Sequence, residues 1–255
     1  MLRNGFKNLW KKIIEVENLD VRFNVDIYRL YRSRSQNKLW IDMKTGSGSR
    51  GFQEYDFLIW SPEMKTSLPI WADATDEEIY YFSRPSPAFF TTALVDTVNM
   101  TRATSPIDYW FDNINKKRQH SLWAQRDSYA SLANLHGEAY RLGQYPGGED
   151  GLLMKTAVTY QMGDSAPIYT ELRHKLMESL TELNASSVNV GFMKTWRYFP
   201  RFSGRDLEEG MLWRILEMQG KYGTWYIGSS VSFESVKSVV EYNKLLLKHF
   251  TIPTQ

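Results

Sequence analysis

Thr224-Trp225-Tyr226-Ile227-Gly228-Ser229-Ser230-Val231-Ser232-Phe233-Glu234-Ser235-Val236 lies close to the C-terminus and reads as strand, tight turn and helix start. The aromatic, β-prone run stops at Gly228, two serines follow, and an apolar period opens at about Ser232. That period predicts a helix from Ser232 to Phe250, with Val236, Val239, Val240, Leu246, Leu247 and Phe250 on one face. A junction of this kind points backbone N–H groups and a partial positive charge at whatever lies beyond the strand.

A strand ending in such a turn needs a neighbour. The nearly continuous apolar run from Tyr55 to Ser61, stopped by Pro62, predicts a strand buried on both faces, as in a parallel sheet. Upstream, Gly5 to Asn18 predicts a helix with Phe6, Leu9, Trp10, Ile13 and Ile14 on one stripe and Lys7, Lys11, Lys12 and Glu15 opposite. Strict alternation predicts a half-buried strand over Asp20–Tyr28, and another strand is expected over Lys38–Thr45. Thr75-Asp76-Glu77-Glu78 is a capping box that opens a helix through Phe82. Strands are expected over Ala88–Val98, Ser121–Asp127, Leu152–Gln161 and Val188–Tyr198. A strong helix is expected over Ile168–Leu183, and a second, broken at Gly210, over Asp206–Gln219. The mixed order predicts an α/β plus α+β fold in two lobes. Residues 1–70 and 220–255 would form an α/β lobe, and residues 71–219 an inserted α+β lobe.

Composition narrows the function. With 31 basic and 29 acidic residues and no basic block longer than Lys116-Lys117-Arg118, a nucleic-acid partner is not expected. Absence of cysteine excludes disulfides and thiolate-bound metals, and fits a cytoplasmic location. No apolar run approaches the ~18 residues of a membrane span. The four histidines, His120, His136, His174 and His249, have no metal-ligand spacing, so no metal is expected. Nine Trp, fifteen Tyr and thirteen Phe suit either ordinary packing or an aromatic-lined pocket for a flat or apolar ligand.

Gly46-Ser47-Gly48-Ser49-Arg50-Gly51 satisfies the letters of G-x-G-x-x-G. A dinucleotide site requires a helix after it, and Phe52 to Ile59 is strand-like instead. The segment is expected to be a hairpin loop.

Gly5-Phe6-x-x-Leu9-Trp10, Asp20-Val21-Arg22-Phe23-Asn24 and Tyr55-Asp56-Phe57-Leu58-Ile59 resemble the second flavin-domain segment of the flavin amine-oxidase-like oxidoreductases, especially the fungal biosynthetic type. Asp73–Glu78 and Trp123–Tyr129 resemble parts of that family's inserted substrate domain. Trp196-x-Tyr198-Phe199-Pro200, Gln219-Gly220-Lys221 and Trp225–Ser230 resemble its end and the return to the flavin domain. The resemblance implies a remnant of a flavin-domain parallel sheet carrying an inserted mixed-sheet substrate domain. The family's N-terminal ADP-binding βαβ unit has no counterpart in the sequence, so autonomous FAD binding is not expected. The sheet edge it would leave implies a cover, whether the N-terminal helix, a second copy or a separate chain.

Three functions are compatible with this reading. The first is a cofactor-independent enzyme that cyclises or isomerises a hydrophobic natural-product intermediate, including by a pericyclic step, through proximity and polarisation. Its catalytic candidates are Ser229, Ser230 and Glu234, with Tyr160, Gln161, Trp196, Tyr198, Trp225, Tyr226 and Phe233 shaping the substrate cavity. Glu234 equally suits a carboxylate interacting with a helix dipole. The second is an FAD-dependent oxidoreductase, with Gly228 and Ser229 against the flavin. The third is a non-catalytic binding or scaffold protein.

Overall fold

The computed structural model describes residues 5–33, 35, 36, 38–98, 107–127, 154–182, 184, 185, 187–232 and 235–249. Of the expected site residues, Phe233 and Glu234 lie outside these. The chain divides into two compact units, one of residues 1–13 and 88–198, the other of residues 14–87 and 199–255.

In the second unit, β1 (Asp26–Ser33), β2 (Lys38–Lys44) and β3 (Arg50–Tyr55) form an antiparallel sheet in that order. The G-x-G-x-x-G letters are the β2–β3 hairpin, closed by Thr45 N–H to Ser49 O at 2.9 Å. Strand β1 starts later than the alternation predicts, because Asn24 adopts a left-handed φ of 56° and breaks the extended run. Val21 and Phe23, on the expected inward face, are exposed. A second sheet pairs β4 (Leu58–Trp60) in parallel with β10 (Thr224–Tyr226), in the register Leu58 to Thr224 and Trp60 to Tyr226. The parallel pairing agrees with the continuous apolar run, but burial on both faces does not hold. Leu58 and Trp60 are buried while Ile59 is 47% exposed, so the strand has one inward face.

Helices α2 (Met64–Ser67) and α3 (Asp76–Ser83) follow β4. The capping box of α3 forms as read: Thr75 Oγ1 accepts from Glu78 N–H at 3.2 Å, and the Glu78 carboxylate accepts from Thr75 N–H at 2.7 Å. Leu30, Leu39, Trp60, Trp71, Phe82, Met211, Ile215 and Tyr226 build this unit's core.

The first unit is built on a five-stranded sheet in the order β6-β7-β8-β5-β9. Its strands are β5 (Ser86–Val98), β6 (Ile107–Tyr109), β7 (Leu122–Asp127), β8 (Met154–Gly163) and β9 (Ser187–Arg201). Short helix α4 (Phe111–Asn115) leads into β7, and α5 (Tyr169–Thr181) covers one sheet face. Leu172, Leu176 and Leu180, spaced i, i+4, i+8, form the stripe by which α5 is buried.

Near the C-terminus, α6 (Gly204–Glu208) and α7 (Met211–Glu217) are separated at Gly210, whose left-handed φ of 74° glycine adopts without a Cβ penalty. The last helix, α8 (Val236–His249), starts four residues later than expected. Ser235 Oγ caps it, accepting from Ser238 N–H at 3.0 Å. The amphipathic N-terminal helix, α1, spans Gly5–Val16. Mixed α/β architecture thus agrees with the sequence reading at the level of class.

Candidate functional site

The expected site residues fall in both units, and each group is described in its own unit. In the second unit the decisive local structure is the end of β10. Ile227 N–H donates to Trp60 O at 2.9 Å and extends the parallel ladder by one bond. The chain then turns at Gly228, with φ of 81°. A Cβ there would lie 2.8 Å from Ser61 O, so the turn is pressed against the end of β4. Ser230 is buried, and its Oγ accepts from Met64 N–H at 3.3 Å, satisfying the start of α2. Ser229 is half-buried at the outer side of the turn. Trp225 is buried edge-on to Phe57, with ring centroids 6.0 Å apart.

Tyr226 points the other way, into a charged network that sequence inspection missed. Its hydroxyl donates to Glu78. The same carboxylate takes Arg32 bidentately, at 2.6 and 2.8 Å. Arg32 Nε also donates to Asp73 at 2.8 Å, Nη1 to Thr224 Oγ1 at 3.2 Å, and the guanidinium lies 4.7 Å over the Trp71 ring. Arg32, Glu78 and Tyr226 are all buried. Burial opposes ionisation of both Arg32 and Glu78. Their mutual hydrogen bonds and charge outweigh it, holding Glu78 below the usual carboxylate range and Arg32 above the usual guanidinium range. Burial, reinforced by the Glu78 charge, pushes the Tyr226 hydroxyl well above the ordinary phenol value. The network ties β1, α3 and β10 together.

The first unit carries an apolar groove of about 370 Å³. Phe90 of β5, Ile107 and Tyr109 of β6, Ile114 of α4, Trp123 and Ala124 of β7 and Tyr160 of β8 line it. Strand period sets the lining: Ala124 faces Tyr160 across β7–β8, and Tyr160 stacks on Phe90 at 5.6 Å. Phe90 also meets Tyr198 of β9 at 5.1 Å. Trp196 follows two residues before Tyr198 on the same face of β9, half exposed, with Lys194 Nζ 4.1 Å over its ring. Tyr160, Tyr198 and Trp196 are therefore brought to one face. Gln161 is not, because successive side chains of a strand alternate. It is buried on the opposite face, donating to His120 O at 2.7 Å and Leu172 O at 3.0 Å. Phe90, Tyr109 and Trp123 were missed as lining residues; Phe90 follows from alternation along its expected strand, whereas Trp123 lines the groove beside its neighbour Ala124 because the register of β7 shifts between Leu122 and Ala124.

Among the described residues no carboxylate lines the groove. Among the described residues no cluster could hold a metal ion. The buried Trp123 Nε1 donor has no acceptor among the described residues. The arrangement is suited to bind an apolar chain or ring.

A flavin dinucleotide would require a glycine-rich strand–turn–helix cradle for its pyrophosphate. The described residues do not make one. The start of α2 is satisfied by Ser230, the start of α8 by Ser235, and the Gly228 turn is backed by Ser61. These residues therefore do not form a cradle for the phosphates.

No family model and no curated protein sequence matches the chain. Solved structures do. A CLA-producing fatty acid isomerase from P. acnes is similar with TM-score 0.74 at 22% identity, over 97% of this chain and 52% of that one. An oxidoreductase from Methanosarcina mazei is similar with TM-score 0.60 at 8% identity, over 96% and 54%. A putrescine oxidase redesigned in its cofactor binding is similar with TM-score 0.51 at 10% identity, over 96% and 52%. The chain spans about half the length of each. At these identities the likeness is one of fold: this chain has a mixed α/β fold shared with part of the fatty acid isomerase and of the putrescine oxidase.

Proposed function

We propose that this chain carries the substrate-binding part of an isomerase of the flavin amine-oxidase-like fold, acting on an apolar chain such as an unsaturated fatty acid. The apolar groove over Phe90, Trp123 and Tyr160 is the observation that carries the reading. Burying an apolar chain there gains about 25 cal/mol per Å² removed from water. The similarity to a fatty acid isomerase supports the isomerase class. An amine oxidation of the kind named for putrescine oxidase would need an anionic partner for a cationic substrate, and the described lining residues are apolar or aromatic.

FAD is the cofactor the fold suggests. The Gly228–Ser230 turn would supply at most one edge of its ring site, and the phosphates would require residues beyond those described here. Ser229, next to that edge, is the proposed contact to the ring; Trp123 is the proposed donor to a substrate carbonyl or carboxylate.

Displacement of a fluorescent fatty acid tests binding. Wild type should bind it, and Tyr160→Ala and Trp123→Ala should each weaken binding about tenfold. Formation of a conjugated diene from a polyunsaturated fatty acid, with and without added FAD, tests turnover. Failure to bind any aliphatic probe, or binding untouched by both substitutions, overturns the reading.

A further inference from the structure

The N-terminal helix α1 is unlike the other long helices of this chain. Helix α5 buries Leu172, Leu176 and Leu180, and α8 buries Leu246. Residues 6–16 of α1 are all exposed or half-exposed. Phe6 is 55%, Trp10 54% and Val16 65% exposed. Yet the helix is cleanly two-sided. At 100° per residue, Phe6, Leu9, Trp10, Ile13, Ile14 and Val16 fall within an arc of about 160°. Lys7, Asn8, Lys11, Lys12 and Glu15 occupy the remainder, with Lys7 and Lys12 at the two borders of the apolar arc.

We infer that α1 is an interfacial helix that lies on an anionic phospholipid surface, its apolar arc at the acyl boundary and its lysines toward the headgroups. Four features point to this occupant. The arc is rich in aromatic residues, including the Trp favoured at a lipid–water boundary. Lys7 borders it, where its stem can cover apolar surface while the ammonium group reaches phosphate. Three lysines against one glutamate give the helix a net positive charge that complements anionic headgroups. Finally, the chain immediately after the helix also exposes Leu19, Val21 and Phe23. The helix has 12 residues, and no helix among the described residues is long and apolar enough to cross a membrane, so the association is peripheral. The inference does not depend on the function proposed for the groove.

The test is co-sedimentation of the full chain with vesicles of phosphatidylcholine alone or mixed with phosphatidylglycerol. Binding should require the anionic lipid and fall as salt is raised. Lys7→Glu with Lys11→Glu should lower partitioning about tenfold or more. Phe6→Ser with Trp10→Ser should abolish it. Both pairs change exposed side chains, so unchanged thermal unfolding confirms that each variant is folded. No pelleting by wild type, or equal pelleting by wild type and both variants, overturns the inference. Concentration-dependent doubling of mass that Phe6→Ser with Trp10→Ser removes, without vesicle binding, assigns the face to a second copy and also overturns it.

Discussion

The Tyr226 hydroxyl donates to the Glu78 carboxylate that also clamps Arg32, joining residues 148 positions apart in the sequence. The contact places the last strand of the unit over the first turn of α3. A buried ion pair of this kind is costly to break one-sidedly, because the survivor keeps its burial and loses its partner.

Arg32→Met should therefore destabilise the chain by about 3–5 kcal/mol. Arg32→Met combined with Glu78→Met should cost clearly less than the sum of the two single changes. Urea unfolding of the four proteins measures the coupling. Additive losses would mean that the two charges do not depend on one another.

Tyr226 makes stability fall at high pH. Its folded-state pKa is raised, so the unfolded chain releases this proton first, from the ordinary value of 10.0 upward. The stabilisation is present below that pH and is lost as pH rises through the folded value. Glu78 acts at the other end. Its folded pKa is lowered, so its contribution is present above the ordinary 4.5 and is lost as pH falls through the folded value. Tyr226→Phe should flatten the alkaline limb of a melting-temperature profile above pH 10 and leave an acid limb in place.

Gly228→Ala adds a Cβ 2.8 Å from Ser61 O at a φ of 81°. Both the backbone conformation and the contact oppose it, and the cost should be about 1–3 kcal/mol or more. A thermal melt equal to wild type would show that the turn can move away from β4.

Gly163 lies under the His120 imidazole, and a Cβ there would meet ring atoms at 2.2 to 2.7 Å. Gly163→Ala should destabilise the first unit by expelling the ring. Adding His120→Ala should recover most of that loss, since it removes the clashing ring and a buried Nδ1 that has no partner among the described residues. Calorimetry of the single and double variants decides.

Local signals in the sequence were read well and long-range ones were not. The capping box at Thr75–Glu78, the hairpin over Gly46–Gly51 and the break at Gly210 depend on residues a few positions apart, and of the helical stripe expected over Ile168, Leu172, Leu176, Leu180 and Leu183 the three central leucines are buried, Ile168 is 60% exposed and Leu183 lies outside the described residues. The alternation over Asp20–Tyr28 misled because a single left-handed residue, Asn24, ends an extended run that periodicity alone cannot see ending. Glu78 was recognised as a capping residue. Its second role depends on Arg32, 46 residues away, a distance over which pattern carries no information. Tyr160, Trp196 and Tyr198 were singled out as aromatic and do share a sheet face. Gln161 was grouped with Tyr160 by adjacency, where adjacency in a strand means opposite sides.

Glu78 closes the first turn of α3 through Thr75 and neutralises Arg32 at the same time. Fraying of that turn would uncover a bare guanidinium inside the protein, so the helix has no inexpensive way to open from its front end. Its early amides should exchange with solvent at the pace of whole-molecule unfolding, turning what is ordinarily the loosest part of a short helix into a slow clock for the entire unit.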